Sequence, residues 1–244
     1  MSRKLLKISY LGENYCGWQV QPNGISVQQT LQDAMEQLFG IRPNVCGCSR
    51  TDSGVHAKEF FCHFDVDSNI TLNGIVMGLN TFLPNDISAL SCENVADDFH
   101  ARYNARGKTY RYEIYFSKVA DPFLEGRALR VKTEPNYEKA LEFCSLLVGK
   151  HNFASFSSAK RTVENTVRTV TQCTVNKQEN RWTFTVTADG FLYNMVRIMV
   201  GSMLYFAQGK LRKSDVLNAF EKEQRSLLGN TVAPYGLYLE KVHY

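Results

Sequence analysis

Residues 50–57 read Arg-Thr-Asp-Ser-Gly-Val-His-Ala and stand between two strand-like runs, 44–49 and 59–65. A polar, glycine-bearing stretch between two such runs is a turn joining paired strands. In the second run Phe60, Cys62 and Phe64 fall on one face, and Glu59, Phe61, His63 and Asp65 on the other. The turn carries one carboxylate, Asp52. Arg50, two residues earlier, shares its face of an extended backbone and can help position whatever Asp52 acts on. Gly54, two residues later, lets the chain turn with positive φ and approach a ligand closely. Taken alone, an Asp-x-Gly turn is a capped hairpin. The rest of the chain decides whether it is more.

Upstream, residues 5–10 alternate as a strand. Residues 27–39 form a helix, with Val27, Leu31, Ala34, Met35 and Leu38 at spacings of three and four. Ser26 caps it, and Gln29 at the third helical position suits a capping box. Downstream, residues 72–82 read as a helix stopped before Pro84, and 87–94 as a strand. The order βαββαβ is the ferredoxin-like split. The second half repeats it. A strand covers 108–116 and a helix 137–148. A hairpin follows over 167–177 and 181–188, then a helix over 191–208 and a closing strand over 236–244. The expected class is α+β: two ferredoxin-like halves, 1–104 and 105–244, with mainly antiparallel sheets flanked by helices. The Asp52 turn is expected to open into a cleft between the halves.

The N-terminus lacks the apolar stretch of a signal peptide. The most apolar run, 191–207, holds Asn194 and Arg197 and is short for a membrane span. A soluble, cytoplasmic protein with no membrane partner is therefore expected. Seven cysteines, scattered through helix- and strand-like runs, read as buried reduced thiols. Cys46-x-Cys48 has no second Cys or His pair at zinc-finger spacing, so no metal is expected. His56 and His63 read as ordinary polar strand residues.

Charge is uneven. Residues 1–104 carry 7 Lys and Arg against 11 Asp and Glu, whereas 105–244 carry 21 against 13. The segment 99–111 holds Arg102, Arg106, Lys108 and Arg111 with no acid among them; a second patch has Lys150, Lys160, Arg161 and Arg168. Basic residues interleaved with aromatics suit a phosphate backbone carrying exposed bases. The alternative is a solvated surface strand.

The run 191–207 is apolar nearly all round, so its helix should be buried. Arg197 within it should then be buried too, unless it snorkels to the surface, and a buried guanidinium needs a carboxylate. The Asp52 turn is the most economical partner. Such a pair would keep Asp52 ionised, an anionic nucleophile needing neither metal nor histidine base.

These segments together resemble the tRNA pseudouridine synthase A family: the Asp52 turn, the strand Lys108-Thr-Tyr-Arg-Tyr112, and the helix Phe191-Leu-Tyr-Asn-Met-Val-Arg197. Tyr15-Cys-Gly-Trp-Gln-Val-Gln21, Asp98-Phe-His-Ala-Arg102, Asn152-Phe-Ala-Ser-Phe156 and Pro234-Tyr-Gly-Leu-Tyr-Leu239 are similar too. The similarity follows the family's order over nearly the whole chain. It implies a homodimer that isomerises uridine to pseudouridine in the tRNA anticodon stem-loop, at positions 38, 39 and 40, with no cofactor. By the resemblance, Asp52 is the catalytic aspartate and Tyr110 the tyrosine that stacks on the target base. Arg197 is the basic residue paired with the aspartate, Leu237 lines the uracil pocket, and Arg50 is linked to opening the RNA. Ser49 and Ser53 depart from the family's more usual Gly and Ala. Two other readings remain: a non-catalytic RNA-binding module of RRM type, which shares the ferredoxin-like sheet, and a two-carboxylate hydrolase, which would need a second catalytic acid.

Overall fold

The computed structural model describes residues 2–158 and 164–244. In chain order the strands are β1 Ser2–Tyr10, β2 Cys46–Gly47, β3 His56–Val66, β4 Ile87–Asn94, β5 Gly107–Phe116, β6 Leu129–Val131, β7 Gly149–Asn152, β8 Val167–Gln178, β9 Arg181–Ala188 and β10 Leu237–His243. The helices are α1 Val27–Phe39, α2 Leu72–Phe82, α3 Tyr137–Leu147, α4 Met195–Ala207 and α5 Lys213–Lys222. The fold is α+β and mainly antiparallel, as expected. Among the described residues no helix is long and apolar enough to cross a membrane. The chain divides into two compact units, Met1–Arg106 with Tyr238–Tyr244, and Gly107–Leu237.

In the first unit the strands run β4-β1-β3, antiparallel throughout, with β2 against β3. This is the ferredoxin-like order. β10 adds a parallel pairing on β3, Tyr238 opposite His56 and Leu239 opposite Ala57. The outer edge of β3 is thus shared: β10 takes its start, and β2 takes Cys62 and His63. Alternation places Phe60, Cys62 and Phe64 in the core with Leu6 and Ile8. Helix α1 starts where the sequence places it, with the Gln29 amide donating to Ser26 Oγ at 3.2 Å. It stops at Gly40, whose φ of 71° closes the end. Val27, Leu31, Ala34 and Met35 are its buried face.

In the second unit the strands run β5-β9-β8-β7, each antiparallel to the next, with β6 parallel to β5. Helices α3 and α4 pack together, Phe143 against Phe206 at 5.7 Å between ring centres. The strands β6 and β7 and helix α5 are additions to the expected order. Helix α4 begins at Met195, four residues later than its apolar run predicts. Asn194 adopts φ 61°, a left-handed conformation that cannot continue a helix backward. From Met195 on, the helix is buried at 11 of its 13 positions.

All seven cysteines are free. Burial pushes the Cys62 thiol well above its ordinary range and Cys92 to about 11, which keeps both protonated near neutrality.

Candidate active site

The Asp52 turn is built by backbone. Val55 N–H donates to the Asp52 carbonyl at 3.1 Å, closing a four-residue turn. Gly54, at its third position, has φ 76°, the conformation that glycine supplies at no steric cost. Residues 11–25, which have little regular structure, wrap this turn. Trp18 N–H donates to the Thr51 carbonyl at 3.2 Å, and Gly54 N–H donates to the Tyr15 carbonyl at 3.3 Å. Ser53 Oγ donates to that same Tyr15 carbonyl at 3.3 Å. Gly12 comes so close that a Cβ there would sit 2.0 Å from the Val55 carbonyl oxygen. Behind the turn, the Tyr10 and Thr51 hydroxyls share a buried hydrogen bond of 2.8 Å.

The wrapping segment is itself anchored at both ends. The Tyr15 hydroxyl donates to Asp86 Oδ1 at 2.6 Å, and burial with that carboxylate pushes the phenol pKa up. Helix α1 ties in through Val27 N–H to the Gly17 carbonyl and Gln28 N–H to the Trp18 carbonyl. His56, only 1% exposed, fixes the remaining side. Its Nδ1 accepts the Gly12 N–H at 2.9 Å, and its ring stacks on Tyr238 at 4.6 Å. Sequence reasoning took His56 for an ordinary strand residue. Nothing local marks it, because Gly12 and Tyr238 are distant in sequence. Asp52 is half-buried and Arg50 is exposed.

Tyr110, Arg197 and Leu237 lie in the second unit and are linked through their neighbours. Tyr110 is 7% exposed and meets Phe191 edge to face at 4.9 Å. Three residues after Phe191, Asn194 caps the start of α4, but its side chain makes no cap hydrogen bond. Instead its Oδ1 accepts from Arg197 Nη1 at 2.7 Å. Arg197 Nε donates to the Val232 carbonyl at 2.8 Å. The segment carrying Val232 reaches α4 because two glycines meet. A Cβ on Gly201 would sit 1.8 Å from the Asn230 carbonyl oxygen, and one on Gly229 would sit 2.5 Å from the Gly201 oxygen. The Tyr112 hydroxyl holds the same segment to β5 by donating to the Ala233 carbonyl at 2.7 Å. The segment then leads into Leu237, which is buried. The expected burial of Arg197 is corrected: it is half-buried, because it sits in the first turn of α4, at the end of the buried helix.

The expected basic residues divide. Arg102 and Arg106 are exposed, and Lys108 is half-exposed at the start of β5. Arg111 pairs with Glu113, which also accepts from Thr183 at 3.1 Å, so its charge is partly offset within the sheet. Arg168 Nη1 donates to the Asn165 and Val167 carbonyls at 3.0 and 2.6 Å. Lys160 and Arg161 lie outside the described residues.

One cluster has metal-like composition: Cys46, His63 and His100 present ligand atoms within 4.8 Å of one another. The hydrogen bonding of both rings opposes a metal there. His63 Nδ1 accepts the Ala101 N–H at 3.1 Å, and His100 Nδ1 accepts those of Arg102 and Tyr103 at 3.1 and 3.3 Å. In a neutral imidazole the other nitrogen must then carry the hydrogen. In that tautomer each Nε2 presents its hydrogen, and not a lone pair, toward the cluster. His100 Nε2 lies 3.4 Å from Cys46 Sγ, a weak acceptor for that hydrogen.

The family model described as tRNA pseudouridine synthase matches residues 7–104 and 143–244. The chain belongs to the tRNA pseudouridine synthase family. As a member of that family it is an enzyme, an isomerase. Relatives named tRNA pseudouridine synthase A include those of Thermoanaerobacter sp. (strain X514), 36% identical over 244 residues, and Ruminiclostridium cellulolyticum, 39% over 245 residues. Each match covers 100% of both chains. The tRNA pseudouridine synthase A 2 of Clostridium perfringens is 40% identical over 240 residues, covering 98% of both chains. The family match spans both the Asp52 turn and the Arg197 helix.

Proposed function

We propose that the chain isomerises uridine to pseudouridine in the anticodon stem-loop of tRNA, at positions 38, 39 and 40, with Asp52 as the nucleophile. The observation that carries this reading is the clasped turn. Asp52 sits on a glycine turn closed by its own main-chain hydrogen bond and held to the wrapping segment by two more and by the Ser53 hydroxyl. Such a mount fixes a carboxylate against rigid backbone, as positioning catalysis requires.

The reaction breaks the N1–C1′ bond, rotates the uracil and joins C5 to C1′. The hydrogen on C5 leaves as a proton, and N1 ends by carrying one. A carboxylate can serve by adding to C6, by attacking C1′, or by deprotonating the sugar. The target base must leave its stack, at a cost of a few kcal/mol. A Tyr110 ring against the base offsets part of that, at about 1–3 kcal/mol. Arg197 supplies a positive charge, Leu237 the apolar wall against uracil, and Arg50 the residue at the opened RNA. In this division the first half of the chain brings the carboxylate, and the basic second half brings the tyrosine, the arginine and much of the phosphate contact. A homodimer acting in the cytoplasm is the expected form.

The test is tRNA carrying tritium at C5 of uridine. Label is expected to enter water in proportion to modified sites, without added cofactor and in the presence of a chelator. The product has the mass of the substrate, so release of label is the decisive signal. Bound tRNA with no label in water would replace the synthase with the RRM-like binding module. Free uracil or cleaved sugar would indicate a hydrolase.

A further inference from the structure

The backbone just before α4 makes a demand that glycine would meet, and asparagine stands there instead. Met195 N–H donates to the Leu192 carbonyl at 3.1 Å, closing a turn over 192–195. Asn194 holds its third position with φ 61° and ψ 6°, while Tyr193 before it keeps an ordinary negative φ. That is the pattern of a type II turn, which calls for glycine or asparagine at this position. Glycine adopts such a conformation at no steric cost, so the asparagine side chain needs a reason of its own.

That reason is not helix capping. A capping residue is usually extended and accepts a helix amide; Asn194 is left-handed and its side chain accepts none. Its Oδ1 takes Arg197 Nη1 at 2.7 Å, and its Nδ2 donates to Ser158 Oγ at 3.4 Å. A guanidinium only donates, so the atom facing it must be the amide oxygen. Ser158 is tied to the same turn, its N–H donating to the Tyr193 carbonyl at 3.3 Å. The amide is thus fixed at both ends.

Arg197 is in turn gripped at two points of one planar fork. Its Nε donates to the Val232 carbonyl at 2.8 Å, and Val232 N–H returns to the Arg197 carbonyl at 3.4 Å. With Nη1 on Asn194, the plane of the group is set as well as its place. Both of these acceptors are neutral, so they fix direction without cancelling charge. Arg197 also stands in the first turn of α4, where the helix dipole disfavours a cation. Two neutral acceptors hold the charge at this opposed position.

We infer that Asn194 is a positioning residue for Arg197: its amide oxygen aims the guanidinium while leaving the charge whole. The inference rests on the role proposed for Arg197 in uridine isomerisation.

The experiment measures single-turnover release of tritium from C5-labelled tRNA at saturating enzyme, with tRNA affinity and melting temperature recorded alongside. Wild type, Asn194→Gly, Asn194→Asp, Arg197→Met and the double variant Asn194→Gly with Arg197→Met are compared. Asn194→Gly suits the turn and drops the acceptor, so its rate is expected to fall about tenfold or more while melting temperature and tRNA affinity hold. Asn194→Asp keeps the hydrogen bond but sets a carboxylate on the guanidinium. It is expected to be as stable as wild type and still to lose about tenfold or more in rate. A role confined to stability would leave both variants at the wild-type rate. The double variant is expected to match Arg197→Met alone, because the acceptor then has nothing to aim. A wild-type rate in either Asn194 variant overturns the inference. A rate that falls only in step with melting temperature, or a further loss in the double variant, overturns it too. Arg197→Met at the wild-type rate would instead remove the role of Arg197 itself, and with it anything for Asn194 to position.

Discussion

His56 Nδ1 accepts the Gly12 amide hydrogen at 2.9 Å in a buried setting, and Gly12 lies directly against the carbonyl of Val55. The histidine thus braces the segment that clasps the Asp52 turn. Replacing His56 by Phe keeps the stack on Tyr238 but leaves a buried N–H without its acceptor, costing about 1–3 kcal/mol. Chemical denaturation should register that loss, and turnover should fall with it while tRNA affinity holds. His56→Asn, whose Oδ1 can stand where Nδ1 was, should recover most of both. Equal loss in the two variants would mean that ring volume, not the hydrogen bond, is what matters.

Asp52→Asn should remove turnover and leave the fold unchanged. The turn is closed by the Asp52 main-chain carbonyl, which the amide variant retains. Melting temperature and tRNA affinity should stay near wild type. Turnover within tenfold of wild type would end the nucleophile assignment.

Arg197→Met should abolish or strongly impair activity and cost about 1.5–3 kcal/mol, the range for hydrogen bonds to charged groups. The half-buried position argues for this range over the larger cost of breaking a fully buried pair. Normal activity with an unchanged melting temperature would show that Arg197 has no part in the site.

Gly201→Ala tests the same arginine from a distance. The added methyl must displace the Asn230 carbonyl, and with it the segment whose Val232 carbonyl holds Arg197. Overpacking of this kind costs about 1–3 kcal/mol. The prediction is a fall in kcat out of proportion to the stability loss. A stable variant with wild-type kcat would separate Arg197 placement from this segment.

Acid should destabilise the first unit through His63. Burial holds its pKa below 6.5, and Arg3 and His100 add to the effect against the opposing pull of Asp65. A depressed histidine pKa means that the unfolded chain binds the proton more readily. The contribution to stability is therefore complete above about pH 6.5 and fades as pH falls from there toward the folded-state pKa. Denaturation midpoints measured from pH 7.5 to 5 should fall, and His63→Gln should flatten the slope. An unaltered slope in that variant would assign the acid sensitivity elsewhere.

Much of the fold was legible because its signals are local. Helix α1 reads to the residue, since Ser26, the three-four spacing and Gly40 all lie within its own length. Strands β4 and β9 read equally well from their alternation and bounding turns. Where the reading slipped, the decisive contact was local but silent, or distant. The apolar run before α4 signals burial and says nothing of the left-handed Asn194 that delays the helix. Helix α5 escaped notice because it buries only Val216 and Ala219, too few to set a period. The Asp52 turn was visible through Gly54, whereas its clasp by residues 11–25 and its brace at His56 arise from tertiary contacts.

Strand β10 carries a consequence for the life of the polypeptide. Its partner β3, the Arg106 N–H that meets the His243 carbonyl, and the Ala101 carbonyl that meets Tyr244 all belong to the first unit. The ribosome makes those partners before Gly107–Leu237, and Tyr238–Tyr244 only after it. The first unit therefore waits, with the starting edge of β3 unpaired and His56 lacking its Tyr238 stack, until the whole second unit has been synthesised. Contacts this far apart in sequence form late. An interrupted nascent chain would carry Asp52 and yet lack the strand that completes its mount.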